Sequence, residues 1–165
     1  LNPDFMGTTF ARHWHSMLHS QQLADMCHKH GFKVVFFPHL NIQPYLNQFD
    51  LPDYIEVLTH VAGSIQNLFC NATLMLTDYS SVAFEMAYLE KPTLYYQFDE
   101  AEIFYGGHTY ERGYFDYRRN GFGPVAVEES HALDELEALL QRNGQPDAAT
   151  HLHRYRAVSV SGLCA

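Results

Sequence analysis

The stretch Leu74-Met75-Leu76-Thr77-Asp78-Tyr79-Ser80-Ser81-Val82-Ala83-Phe84-Glu85 decides how the chain is read. Its first three residues are a short apolar run, the pattern of a strand in a parallel sheet covered on both faces. Hydroxyl and acidic residues then break the run. Ser81 to Glu90 takes up helical spacing, with Phe84, Ala87 and Tyr88 on one stripe. A second strand follows at once, Pro92 to Tyr96, rich in β-branched and aromatic residues.

The same alternation extends toward the N-terminus. Trp14, Met17, Leu18, Leu23, Met26 and Cys27 recur at three- and four-residue spacing, so one amphipathic helix is expected from Phe10 to His30, ended by Gly31. Lys33 to Phe37 reads as a buried strand closed by Pro38. Ile42 to Phe49 is helix-like, Tyr54 to Leu58 strand-like and Ser64 to Asn71 helix-like. Toward the C-terminus, Asp99 to Val127 is rich in Gly, Tyr and Arg with few helix signals, and Ser130 to Arg142 is a helix carrying Leu133, Leu136, Leu139 and Leu140. The pattern fades after Asn143-Gly144. These units predict an α/β, doubly wound parallel sheet in one domain over residues 1–150, followed by an irregular tail at 151–165. Ligands in such a sheet bind at the strand carboxyl ends.

The bulk composition narrows the function. At 165 residues and 47% hydrophobic, the chain can bury one core. Its net charge of -9 disfavours nucleic acid as a partner. No signal-peptide pattern is visible from Leu1 onward, and the apolar runs fall short of the roughly 20 residues a membrane helix needs. Three widely spaced cysteines, Cys27, Cys70 and Cys164, suggest a reduced, cytoplasmic protein, with Cys27 and Cys70 expected in the core.

Several residues are candidates for chemistry. Ser80 and Ser81, at the start of a helix, suit a pyrophosphate through free N–H groups and hydroxyls, although one of them as a simple N-cap, with Asp78 a turn residue, is the commoner arrangement. His39 sits at a strand carboxyl end as a candidate cation or general acid/base. Arg112, in Glu111-Arg112-Gly113-Tyr114-Phe115-Asp116, offers a fork for phosphate oxygens or a surface pair with Glu111 or Asp116. Arg118 and Arg119 read as a solvated face. Tyr95, Tyr96, Phe98 and Tyr105 read as core and rim packing. Of the histidines at the N-terminus only His15 and His19 share a helix face, and no set completes four metal ligands.

Phe37-Pro38-His39, Thr77 to Ser81, Lys91-Pro92, Tyr96 to Asp99, Arg112 to Asp116 and Gly123-Pro124 occur in one order over roughly residues 5–140. In this the chain resembles the C-terminal domain of the CDP-glycerol glycerophosphotransferase family. The resemblance implies the donor-binding, Rossmann-like C-terminal half of a GT-B type transferase. It implies transfer of glycerol phosphate from CDP-glycerol to a polyglycerol-phosphate, capsular or lipid-linked acceptor, with release of CMP and without a cofactor. The implied catalytic residues are His39 and Arg112. Thr77, Asp78, Ser80, Ser81, Glu85, His108 and Asp116 are the implied substrate-binding residues, with Glu85 meeting the ribose. The partner would be the N-terminal domain of the same enzyme, which is absent here together with the family's other histidine, and little activity is expected of this chain alone. The implied location is the cytoplasmic face of the cell membrane. A nucleotide-sugar glycosyltransferase or epimerase-like half, and a non-catalytic α/β binding module, are the alternatives.

Overall fold

The computed structural model describes residues 2–59, 65–100 and 115–145. The chain divides into two compact units between Leu68 and Phe69. Each unit alternates helices with parallel strands, so the α/β parallel class read from the sequence holds. The strands are hydrogen bonded as two sheets: β1 (Val34–Phe36) with β2 (Ile55–Val57), and β3 (Met75–Thr77), β4 (Thr93–Tyr96) and β5 (Val125–Ala126) in that order.

In the first unit, the single helix expected over Phe10 to His30 is two helices, α1 (Thr9–Leu18) and α2 (Gln21–His30). The break has a local cause. Ser20 adopts an extended backbone and its hydroxyl accepts the Leu23 N–H, which starts a new helix rather than continuing the old one. Thr8 caps α1 in the same way through the Ala11 N–H. Gly31 ends α2 at φ 73, a left-handed position that costs glycine nothing. The apolar stripes bury Trp14, Met17, Leu18, Leu23, Met26 and Cys27. Further aromatic rings complete this core: Phe5 stacks on Tyr45 at 4.0 Å, and Phe49 meets Phe36 at 5.7 Å. The segment read as helix-like, Ile42 to Phe49, forms a 3-10 helix over Gln43–Gln48.

In the second unit, β4 is buried at every position, as its continuous apolar and β-branched run requires. β3 and β5 pair on either side of it, with Leu76 opposite Leu94 and Tyr96 opposite Ala126. Helix α4 (Ala83–Tyr88) packs on β3 and β4. It does so through Ala83, Met86 and Ala87, whereas Phe84 and Tyr88 are 39% and 51% exposed. The expected stripe of Phe84, Ala87 and Tyr88 is therefore corrected to one turned toward Ala83 and Met86. The segment expected to lack helix contains, in its described part, the short helix α5 (Tyr117–Asn120) and strand β5. Asp116 makes α5 possible by accepting the Arg119 N–H at 2.9 Å. Helix α6 (Glu129–Gln141) buries Leu133, Leu136, Leu139 and Leu140 against β4 and β5, each such side chain being worth about 1.5–3 kcal/mol.

Two further contacts fix this frame. The Lys91 ammonium donates to the carbonyls of Phe69 and Cys70 at 2.7 and 2.5 Å, closing the C-terminal end of helix α3 (Ile65–Asn71). Gly123 lies so close to β4 that an added Cβ would meet the Thr93 carbonyl oxygen at 1.7 Å. Cys27 is buried as expected. Cys70 is exposed, because the helix presents Phe69 rather than Cys70 to the core.

Candidate functional site

The β3–α4 turn gathers four of the residues singled out from the sequence. Thr77, buried, is the last residue of β3 and pairs with Tyr95. Asp78 folds back so that its carboxylate accepts the Tyr79 N–H at 2.7 Å, an arrangement open to a short acidic side chain at a strand end. Ser80 follows, half-buried, with its hydroxyl 3.4 Å from the Val82 N–H, and Ser81 is exposed. Neither serine is the N-cap of α4. That position is Val82, which makes no side-chain cap. With six residues α4 has little dipole to offer, so the donors of this turn are its serine hydroxyls and backbone N–H groups.

A cleft of about 240 Å³ opens beside the two serines. Tyr79, Phe84, Tyr95, Phe115 and Tyr117 wall it, and Ala83 lies at its base. The rings hold one another edge-on: Tyr117 meets Tyr79 at 5.6 Å, Tyr95 at 5.1 Å and Phe115 at 5.2 Å. The Tyr95 hydroxyl accepts the Phe122 N–H, and the Tyr117 hydroxyl donates to the Tyr79 carbonyl at 3.2 Å. Burial pushes the Tyr79 phenol well above its ordinary range, and the Asp99 carboxylate pushes it further, with smaller contributions from Glu100 and Asp78. Tyr79 therefore enters as a neutral wall. The cleft thus joins an apolar, aromatic side to a hydroxyl-bearing side, which suits a ligand with a ring or carbon chain next to a charged oxygen group.

The remaining candidates stand as follows. Glu85 is exposed on the first turn of α4. Asp116 spends one carboxylate oxygen on capping α5. His39 belongs to the first unit, in the exposed loop after β1. Its Nδ1 accepts the Asn41 N–H at 3.2 Å, which places the proton on Nε2 and leaves that nitrogen a donor. Arg112 and His108 lie outside the described residues. Arg118, read as a solvated face, is 52% exposed and pairs with Glu100 at 2.9 Å. Tyr95 and Tyr96 are fully buried, as read; Tyr105 lies outside the described residues.

Sequence reasoning missed Gln97 and Tyr117. Gln97 is only 2% exposed, yet its side chain donates to the Asp78 carbonyl at 3.2 Å. An amide placed directly after a run of β-branched and aromatic residues was the available signal. Among the described residues no group of three or more His, Cys, Asp or Glu is placed to hold a metal ion, and no helix is long and apolar enough to cross a membrane.

Residues 3–161 match the family model described as CDP-Glycerol:Poly(glycerophosphate) glycerophosphotransferase. The chain belongs to that family. Among its relatives, the Minor teichoic acid biosynthesis protein GgaB of Bacillus subtilis (strain 168) is 31% identical over 87% of this chain and 15% of its own length. A Teichoic acid glycerol-phosphate transferase and the Teichoic acid ribitol-phosphate polymerase TarK, both of Staphylococcus aureus (strain NCTC 8325 / PS 47), are each 32% identical. They match over 46% and 48% of this chain, and over 18% and 15% of their own lengths. The chain thus spans less than a fifth of each of these relatives. No solved structure matches it.

Proposed function

We propose that this glycerophosphotransferase-family chain is the donor-binding half of a GT-B type enzyme, built as a doubly wound, Rossmann-like domain over residues 1–150. It takes CDP-glycerol and serves the transfer of glycerol phosphate to a polyglycerol-phosphate, capsular or lipid-linked acceptor at the cytoplasmic face of the membrane. The observation that carries this reading is the Ser80–Ser81 turn beside an aromatic cleft, in a chain whose family match runs from residue 3 to 161.

The reaction asks for positioning and charge neutralisation more than for covalent chemistry. An acceptor hydroxyl attacks the β-phosphorus, the bond from that phosphorus to the bridging oxygen breaks, and CMP leaves with the oxygen. The attacking hydroxyl gives up its proton to solvent or to the phosphate of the departing CMP. Ser80 and Ser81 hold the donor phosphates, with Thr77 and Asp78 shaping the turn. Glu85, a solvated acceptor, meets the ribose hydroxyls. His39, with its proton on Nε2, donates to a phosphate oxygen, and Arg112 neutralises the leaving CMP, with His108 and Asp116 completing the substrate contacts. The N-terminal domain of the same enzyme supplies the opposite wall of the cleft.

Titration calorimetry of this chain with CDP-glycerol, CDP-ribitol, CMP and UDP-N-acetylglucosamine tests the reading. Selective binding of a CDP-polyol, weakened by Ser81→Ala and by Arg112→Ala, is expected. Equal or tighter binding of UDP-N-acetylglucosamine would replace it with a nucleotide-sugar transferase, and indifference to all four with a non-catalytic module.

A further inference from the structure

We propose that Gln97 and Tyr117 are positioning residues that aim the Ser80–Ser81 turn, a deepening that rests on that turn holding the donor phosphates. The turn is gripped at two consecutive carbonyls. Gln97 is buried at the end of β4, where its own N–H is tied to the Ala126 carbonyl at 2.8 Å, and its side-chain amide reaches the Asp78 carbonyl at 3.2 Å. Tyr117, on α5, places its hydroxyl 3.2 Å from the Tyr79 carbonyl. The intervening Tyr79 N–H is taken by the Asp78 carboxylate at 2.7 Å.

Peptide planarity turns these contacts into a direction. In a trans peptide the C=O and the following N–H point opposite ways. Fixing the Tyr79 carbonyl toward Tyr117 therefore sends the Ser80 N–H to the other side, where it stands as a donor for an anionic oxygen. Fixing the Asp78 carbonyl toward Gln97 sets the plane before it. The Tyr117 ring cannot swing freely, since it is held edge-on by Tyr79, Tyr95 and Phe115. Gln97 anchors one end of the turn to the sheet, and Tyr117 anchors its middle to α5. Neither side chain needs to touch the phosphates to govern how they are met.

The test is a double-mutant cycle on this chain, with CDP as the probe and calorimetric affinity as the readout, alongside thermal midpoints. Tyr117→Phe removes one oxygen and keeps the ring; Gln97→Met keeps the length and removes the donor. Each is expected to weaken CDP binding about five- to tenfold, the loss of roughly one hydrogen bond's worth of alignment. In a Ser81→Ala background the same substitutions are expected to have a smaller further effect, because one of the donors carried by the turn they aim, the Ser81 hydroxyl, is gone while the Ser80 N–H remains. A purely structural role would lower the midpoint and leave the affinity of the folded protein unchanged, or give additive losses with Ser81→Ala; either result overturns the positioning roles. If Gln97→Met fails to fold, Tyr117→Phe carries the test. If Ser81→Ala binds CDP as tightly as the parent, or the parent binds none, the donor reading itself fails and the positioning roles fall with it.

Discussion

Replacing Gly123 by alanine tests the tightest backbone approach in the second unit. The added Cβ would sit 1.7 Å from the Thr93 carbonyl oxygen and 2.8 Å from its carbon. Backbone cannot rotate aside as a side-chain tip can, so β5 must move off β4 by well over 1 Å. That movement stretches the bonds from the Tyr95 N–H to the Pro124 carbonyl and from the Gln97 N–H to the Ala126 carbonyl, now 2.9 and 2.8 Å, beyond useful range. Two such bonds contribute about 1 kcal/mol each net, and an overpacked core costs a further 1–3 kcal/mol or so. The expected loss is about 3–5 kcal/mol, a large share of the roughly 5–15 kcal/mol that holds a domain together. Urea unfolding followed by far-ultraviolet circular dichroism measures it. Gly31→Ala is the comparison: nothing lies near its Cβ, and only its φ of 73 opposes the change, at about 1–2 kcal/mol. If Gly123→Ala loses no more than Gly31→Ala, β5 is not seated on β4 as described.

Other perturbations have equally definite outcomes. Lys91→Met removes both donors to the α3 carbonyls and is expected to cost about 1.5–3 kcal/mol in the same assay, with Lys91→Arg recovering part of it. Leu136→Ala opens a cavity under α6 and is expected to cost about 2–5 kcal/mol, read as a lower urea midpoint. Burial, then the neighbouring His19, holds the His15 imidazole below its ordinary value of 6.5, with Asp50 opposing. Because the unfolded chain binds that proton more readily, the stability His15 contributes is full above about pH 6.5 and is lost as pH falls through the lowered folded value. His15→Gln is expected to flatten the acid side of a thermal-midpoint profile. Burial raises the Tyr79 and Tyr96 phenols, so unfolding is favoured as pH climbs above the ordinary value of about 10, and absorbance titration at 295 nm is expected to show both ionising only as the fold is lost.

The strands were the most legible part of the chain. Short runs of apolar and β-branched residues such as Leu74 to Leu76 and Pro92 to Tyr96 have few uses other than buried parallel strands, and each of the first four strands differs from its reading by a residue or so, whereas β5 was not read as a strand. The helix at Phe10 to His30 was overextended because His19 and Ser20 leave the apolar spacing intact, while the cap that splits it is a single serine hydroxyl. The stripe on α4 was misplaced because hydrophobicity ranks Phe84 above Ala83, yet close approach to the sheet favours the smaller side chain. Of the site, Thr77 to Ser81 announced themselves by breaking an apolar run. Gln97 and Tyr117 did not, because their importance lies in which distant carbonyl each one reaches, and no local pattern encodes that.

Lys91 and Pro92 drew notice as part of a recurring signature, yet the lysine is spent on the end of a helix. A signature of this kind mixes two sorts of residue, those that would meet the ligand and those that merely let the frame close. A descendant that lost Ser80 and Ser81 but kept Lys91, Pro92 and Gly123 would still look like kin and still fold. Separating true enzymes from such inert cousins is then a matter of reading the β3–α4 turn, and not of counting matches along the chain.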